Sequence, residues 1–350
     1  MIMKVPTYTK KMKICIIALL AMLASTSCDS ILGEENADCS VEYRVKFKYD
    51  YNMKFANAFA HEVKSVTLYA FDDEGKFVYQ NTEQGDMLAE DEYSMPVEVE
   101  PGDYHLISWA GLEGENSFAV PILTKGVSTM DELNCKMQRI YSRAADGSAI
   151  VKEDLSPLWH GEVVKQSFSR TATQQIVTVP LVKNTNNIRI VLQHLSGEAV
   201  NSDRFEFNIT DDNGLMNYDN QLLDDEMLTY YAWHKSDGIA NLDPDNSPRA
   251  TTAVGVAIAE LTVGRLVIAN NPILTITNKE TGKKVLSIPL IDYLVLVKGN
   301  YNRNMTDQEY LDRQDEYSMT FFLDENDNWA SSSIYINGWH VVNQEIDDIL

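Results

Sequence analysis

From Ser40 onward, apolar and polar residues alternate in short runs separated by turn formers. In Ser40 to Asp50, Val41, Tyr43, Val45, Phe47 and Tyr49 fall on one face and Glu42, Arg44, Lys46 and Lys48 on the other, a period of two that predicts a half-buried strand. Val63 to Gln80 places two β-rich runs around Asp72, Asp73, Glu74 and Gly75, where glycine supplies the positive φ of a tight hairpin. Met95 to Gly111 has the same form, with Pro101 and Gly102 suited to the centre of a type II turn between antiparallel neighbours. The signal then fades into a long connection to Leu158. There Thr129 and Glu132 form a capping box, and Leu133, Met137 and Ile140 follow at helical spacing, predicting a helix.

Strand patterning resumes with LWHGEVVKQSF and QQIVTVPLVK. A second strand-rich set runs from NNIRIVLQHL through DRFEFNITDDNGLMNY, whose Asn213 and Gly214 read as a type I′ hairpin. It continues through TTAVGVAIAEL, GRLVIAN, PILTITNKETGKKVLSIPL, EYSMTFFL and SSSIYINGWHVV. A capping box at Thr306 and Glu309 starts a short helix, DQEYLDR. Two successive sets of short strands predict an all-β chain of two β-sandwiches joined near Lys183 to Asn186, with one or two short helices in the connections.

Before these strands, Lys4, Lys10, Lys11 and Lys13 precede an apolar run from Ile14 to Leu23, and small residues lead to Cys28, the pattern of a secretory signal. Ten apolar residues fall well short of the roughly 20 needed to span a bilayer. Cys28 reads as the lipidated first residue of the mature chain, with cleavage between Ser27 and Cys28; Ser25 and Thr26 depart from the usual lipobox. The alternative is an ordinary cysteine just past a signal peptidase site. The expected organisation is a signal peptide over 1–27, a lipidated tether over 28–39 and sandwich domains over 40–184 and 185–350. Two or three acyl chains at Cys28 would supply durable attachment to a membrane, which one chain does not.

Charge narrows the partners. The chain has 29 basic and 52 acidic residues, a net charge of −23. The leader's only charges are its four lysines, so its removal takes the net charge to −27. Nucleic acid is a poor partner for such a surface, because its binding relies on clustered Lys and Arg. Setting aside Cys15 in the leader and Cys28, Cys39 and Cys135 remain, either as one disulfide or as free thiols.

The search for chemistry returns little. His61, His105, His160, His194, His234 and His340 are scattered, without HExxH or zinc spacing, and no GxSxG or Walker loop occurs. Asp324, Asn326 and Asn328 have calcium-loop spacing, but Trp329 replaces the required glycine and Tyr335 the bidentate glutamate, so the segment reads as a turn. The five tryptophans, Trp109, Trp159, Trp233, Trp329 and Trp339, are candidates to stack on saccharides, with core burial the better account of most. No catalytic, metal or cofactor-binding residues are assigned, and no small-molecule substrate is expected.

The ordered set of SVTLYAFDDEGKFVYQ, VEPGDYHLISWAGLEG, LWHGEV, VPLVKNTNNIRIVLQHL and YLDRQDEYSMTFFLDENDNWASSSIYINGWHVV resembles the fimbrillin-associated anchor proteins of Bacteroidales type V fimbriae, over about Ser40 to Val342. The most specific pieces are Phe71-Asp72 to Gly75-Lys76, Pro101-Gly102 to Trp109-Ala110-Gly111, Tyr310 to Arg313, and Ile336 to Trp339. The resemblance implies transthyretin-like sandwiches, a lipidated N-terminus in the outer membrane, contact with the major fimbrial stalk subunit, and a base subunit that anchors the shaft and limits its length. It implies no catalysis. An anchor of this kind keeps its first strand, because the lipid is attached there, whereas stalk relatives lose theirs to a protease. Three other readings stay open: a tip or accessory subunit, a surface glycan-binding lipoprotein needing several exposed tryptophans on one face, and a β-sandwich hydrolase needing perturbed carboxylates in a cleft.

Overall fold

The computed structural model describes residues 41–113, 117–142, 147–170, 174–241, 253–299, 302–337 and 339–341. It is all-β, with two sandwiches of the expected transthyretin-like kind. The first is one seven-stranded sheet curled on itself. Its order is β3 (Phe77–Gln84), β2 (Ser65–Phe71), β5 (Gly102–Ala110), β10 (Trp159–Phe168), β11 (Gln174–Lys183), β1 (Glu42–Lys48) and β4 (Met95–Val97). β10 and β11 share only three residue pairs, Trp159–Lys183 to Gly161–Leu181, so the sheet turns there and lays β11, β1 and β4 over the other strands. Tyr43, Val45 and Phe47 of β1 meet Val66, Leu68 and Ala70 of β2 and Leu106 of β5 in the enclosed core.

The second sandwich faces two six-stranded sheets. One is ordered β16 (His234–Asn241), β17 (Ala253–Gly264), β12 (Thr185–His194), β20 (Glu316–Leu323), β21 (Trp329–Ile336) and β22 (Trp339–Val341). The other is β19 (Lys284–Pro289), β18 (Ile273–Asn278), β13 (Phe205–Asp211), β15 (Leu228–Tyr231), β9 (Ala149–Val151) and β8 (Ile140–Tyr141). Strict alternation, as in the buried Phe205, Phe207 and Ile209 of β13, turns one face of each strand into the core.

β8 and β9 arise in the long connection yet pair into this second sandwich, β9 lying parallel to β15. The same connection supplies β6 (Phe118–Ala119) and β7 (Cys135–Met137), which join β14 (Leu215–Met216) in a small third layer. Its buried Phe118, Leu133, Cys135 and Met137 cover the second face of the β2–β5 pair, where Tyr69, Phe71, Ile107 and Trp109 lie. One apolar core therefore runs from the back of the first sandwich through the connection into the second, and β2 is buried along its whole length. Outside the core, Arg313 lies over the Tyr51 ring at 3.9 Å, and Lys183 pairs with both Asp315 at 2.6 Å and Glu62 at 3.4 Å.

Several local expectations are corrected. The capping box at Thr129 and Glu132 forms, but it starts only a single 3-10 turn, Met130–Glu132. Leu133, Cys135 and Met137 are all buried with Lys136 exposed between the last two, so a two-residue period wins and the segment becomes β7. Asn213 and Gly214 form no type I′ turn, since neither has positive φ and β14 pairs with β7 rather than β13. Gly214 is required by close approach instead: a Cβ there would lie 2.5 Å from the Arg139 guanidinium and 2.6 Å from the Asp225 carboxylate. Gly102 likewise lacks the positive φ of a type II turn, and β4 and β5 are not paired; the chain crosses between the two layers there. GRLVIAN is not a strand, because β17 ends at Gly264. The hairpin at Gly75 (φ 76°) and the helix after Thr306 form as expected. Among the described residues there are three short helices, α1 (Phe59–Glu62), α2 (Leu290–Leu296) and α3 (Asp307–Arg313).

Candidate functional site

The N-terminal strand is built in from both sides. β1 lies parallel to β11 over seven residue pairs, Glu42–Gln174 to Lys48–Pro180, and antiparallel to β4 over three. Its inward rings are locked by neighbours: Tyr43 stacks on Phe168 at 4.5 Å and Phe47 on Phe59 at 5.6 Å. One backbone edge of β1 is paired along its whole length by β11 and the other is covered by β4 from Tyr43 to Val45, so β1 is an interior strand of its sheet rather than a rim strand. Ser27, Cys28 and the tether precede Val41 and lie outside the described residues, as do Cys39 and the tail from 342 to 350.

The sheet edges differ in how far they are closed. β4 carries Pro96, which has no N–H to offer, and its carbonyl accepts the Tyr79 hydroxyl at 3.1 Å. β16 is tied at Asp237, whose carboxylate accepts the Ser202 N–H at 2.7 Å, and at Lys235, whose ammonium donates to the Ser202 carbonyl at 3.2 Å. β22 has β21 on one side, paired through Ile334–Val341 to Ile336–Trp339, and among the described residues no strand on the other. It is also where the described chain leaves the sheet.

No catalytic constellation emerges from the described residues. His105 Nε2 is 2.6 Å from Glu162, but no nucleophile is placed with them. Burial pushes the Asp211 carboxyl up to about 7, against the N–H groups of Asn270 and Asp212 that favour its charged form. Its hydrogen bonds are to the turn that follows β13 and to Asn270, which makes it a structural carboxyl. Among the described residues no three His, Cys, Asp or Glu side chains gather as a metal site. Asp324 uses its carboxylate on its own turn, accepting from the N–H groups of Asn326 and Asn328 at 2.8 Å each. Cys135 is a free, buried thiol whose ionisation burial pushes well up.

The four tryptophans whose side chains are described do not form a binding face. Trp109 and Trp159 are buried, and Trp329 packs edge-on against Phe321 at 5.9 Å. Trp233 is 41% exposed, beside a groove of about 510 Å³ on the outer face of β12, β17 and β20 that includes Asn187, Arg189, Glu260 and Glu316. The Trp339 side chain lies outside the described residues.

Residues 35–345 match the family model of the fimbrillin-A associated anchor proteins Mfa1 and Mfa2. The chain belongs to this family. A curated relative, the minor fimbrium anchoring subunit Mfa2 of Porphyromonas gingivalis, is 22% identical over 343 residues, covering 95% of this chain and 96% of the relative. A solved candidate adhesin from Bacteroides thetaiotaomicron is 35% identical, with a TM-score of 0.75 over 86% of this chain and 97% of its own. A candidate polysaccharide-binding protein from the same organism is 34% identical, with a TM-score of 0.74 over 87% of this chain and 99% of its own. The solved Mfa2 anchor of Porphyromonas gingivalis shares the fold at a TM-score of 0.61 and 16% identity, over 86% and 99% of the two chains. Membership makes this anchor-family chain a fimbrial, surface-associated subunit that works with other fimbrial subunits, in a family of structural and adhesive proteins. Sequence reasoning singled out Cys28; it missed the double pairing of β1, because strand order is not written in alternation.

Proposed function

We propose that the chain is an outer-membrane lipoprotein that anchors a fimbria at its base and limits its length, as a signal peptide over 1–27, a tether over 28–39 and sandwich domains over 40–184 and 185–350, with β8 and β9 of the first range completing the second sandwich. Cleavage between Ser27 and Cys28 leaves Cys28 lipidated, and the body then meets the major stalk subunit. The observation that carries this reading is the place of β1. An N-terminal strand held between β11 and β4 stays with the body, so a lipid about a dozen residues upstream stays attached to the folded protein. A chain whose own first strand fills its sheet offers no vacant groove there for a further subunit, which suits an element that ends a polymer. Docking is assigned to the second sandwich, at the β22 edge and the segment from Asn343 to Leu350 that follows it.

The test is Cys28→Ala. The variant should lose acyl label and leave the membrane fraction as soluble protein or unprocessed precursor, with fimbriae shed into the medium. Label and membrane retention in that variant would overturn the lipid assignment. Deleting Asn343 to Leu350 addresses docking separately: fimbriae retained at normal number and length would move the contact to the other edges of the second sandwich. A glycan-binding role draws on one relative's description, but among the described tryptophan side chains only Trp233 is exposed, and a single ring makes no aromatic platform.

A further inference from the structure

We infer that the body is a mechanical clamp, in which tension along the chain loads the lipid-proximal strand in shear. β1 and β11 run parallel, and the chain enters β1 at Glu42, opposite Gln174. It leaves β11 at Lys183, beyond the opposite end of the pair, where Lys48 faces Pro180. A pull on the N-terminus against the second sandwich therefore slides β1 and β11 lengthwise past each other. All seven residue pairs resist together, whereas a pull applied at one end of the pair would open them in turn. Residues 49–173 lie between the two strands in sequence, so the direct backbone path of the load skips them while the pair holds, and β7, β8 and β9 tie the two sandwiches together alongside that path.

Side chains reinforce the sliding plane. Tyr43, Val45, Phe47 and Tyr49 are all buried, so any slip must drag them past Phe168, Phe59 and Trp159, which hold the three rings. β4 grips the other edge of β1 at Tyr43 to Val45. Tension passes from Lys183 through Asn184 into β12, and the second sandwich repeats the arrangement. β12 lies parallel to β20 from Asn187–Glu316 to His194–Leu323, with β17 antiparallel on its other side. Forced unfolding is governed by an unfolding rate rather than by equilibrium stability, so this arrangement matters to a protein held between a membrane and a filament. The inference rests on the tether reading only for the direction of the load.

The experiment pulls one protein from two directions. The mature chain carrying Cys28→Ser is attached through Cys39 to one handle, the buried Cys135 being shielded from labelling. The second handle goes on Pro180→Cys, at the far end of the pair, or on Gln174→Cys, at the near end; both positions are exposed. At one loading rate, the rupture force through position 180 should exceed that through position 174 by at least about twofold, since the rungs break together in one geometry and singly in the other. Equal forces, or a weaker far-end geometry, overturn the clamp. Urea midpoints of the two unlabelled variants check that both fold, and Thr178→Cys, exposed and opposite Lys46, replaces Pro180→Cys if that variant does not. No lipid or membrane enters the measurement, so failure of the clamp and failure of the Cys28 assignment are read separately.

Discussion

Asn184, the residue between β11 and β12, is a point at which the body is expected to be pinned rather than hinged. It is fully buried, and its side chain exchanges two hydrogen bonds with that of Asn220, at 2.6 and 3.1 Å. Its N–H donates to the Leu158 carbonyl at 2.7 Å, and Arg265 donates to the Asn220 carbonyl. Asn184→Ala removes both amide–amide bonds, net about 1 kcal/mol each, and strands a buried Asn220 amide at a further cost of roughly 1–3 kcal/mol, so a loss on the order of 3 kcal/mol is expected. Asn220 has a φ of 65°, so glycine is the substitution that deletes its side chain without backbone strain. The assay is urea unfolding of the mature Cys28→Ser chain with Asn184→Ala, Asn220→Gly and the pair. The double variant should be less damaged than the sum of the singles by about 1–2 kcal/mol, because neither single loss leaves the other amide useful. The shared core also predicts one cooperative transition. Losses that add within about 0.5 kcal/mol would refute the coupling, and a separate early transition in the parent would refute the pinned junction.

Gly111 tests the contact between the first sandwich and the connection: it has a φ of 87°, and a Cβ there would lie 1.9 Å from the Pro157 carbonyl oxygen. Gly111→Ala should cost more than about 3 kcal/mol in urea unfolding, because the clash adds to the strain, while Gly85→Ala, at φ 84° and ψ −159° with open space around it, should cost backbone strain alone, about 1–3 kcal/mol. Asp211 and His160 should pull the pH profile of stability in opposite directions. With the Asp211 carboxyl raised to about 7 by burial, the folded chain keeps a proton between pH 4 and 7 that the unfolded chain has lost. Stability from this group therefore falls as pH rises through that window, by a total on the order of 3–4 kcal/mol, and Asp211→Asn should abolish that fall. Burial pushes His160 down to about 4, so the unfolded chain gains a proton first on acidification and stability is lost as pH falls from 6.5 to 4. Urea midpoints at several pH values should show that acid loss more clearly in Asp211→Asn than in the parent; a variant that still loses stability from pH 4 to 7 would contradict the assignment.

Period-two alternation found the strands that keep one face in a core, such as Glu42–Lys48 and Phe205–Asp211, because that pattern is local. The Thr306 cap was legible for the same reason: its hydroxyl accepts the Glu309 N–H within one turn, at 3.0 Å. The errors fall where a residue answers to partners far along the chain. Asn213 and Gly214 have the composition of a hairpin turn, yet Asn213 accepts the buried Tyr230 hydroxyl and donates to the Arg265 carbonyl. Leu133 to Ile140 offers both a helical and an alternating reading, and pairing with β14, some 80 residues away, decides between them. The sheet edges of the candidate site were illegible because strand order is a property of the whole topology.

The weak patterning of the connection has a physical reason that bears on function. A segment that packs on one surface shows one period, but residues 117–158 pack on the first sandwich at Leu133 and Leu158 and build strands of the second at β8 and β9. Neither period is kept for long, and the residues that look least structured in sequence are those that bind the halves together. A flexible linker would let the two sandwiches turn independently, and tension entering at β1 would be spent aligning them. A shared core instead makes the orientation of the second sandwich a consequence of folding the first. If the subunit stands between a membrane and a filament, as proposed, that coupling sets the direction in which the second sandwich faces, and the long connection then serves anchoring as much as β1 does.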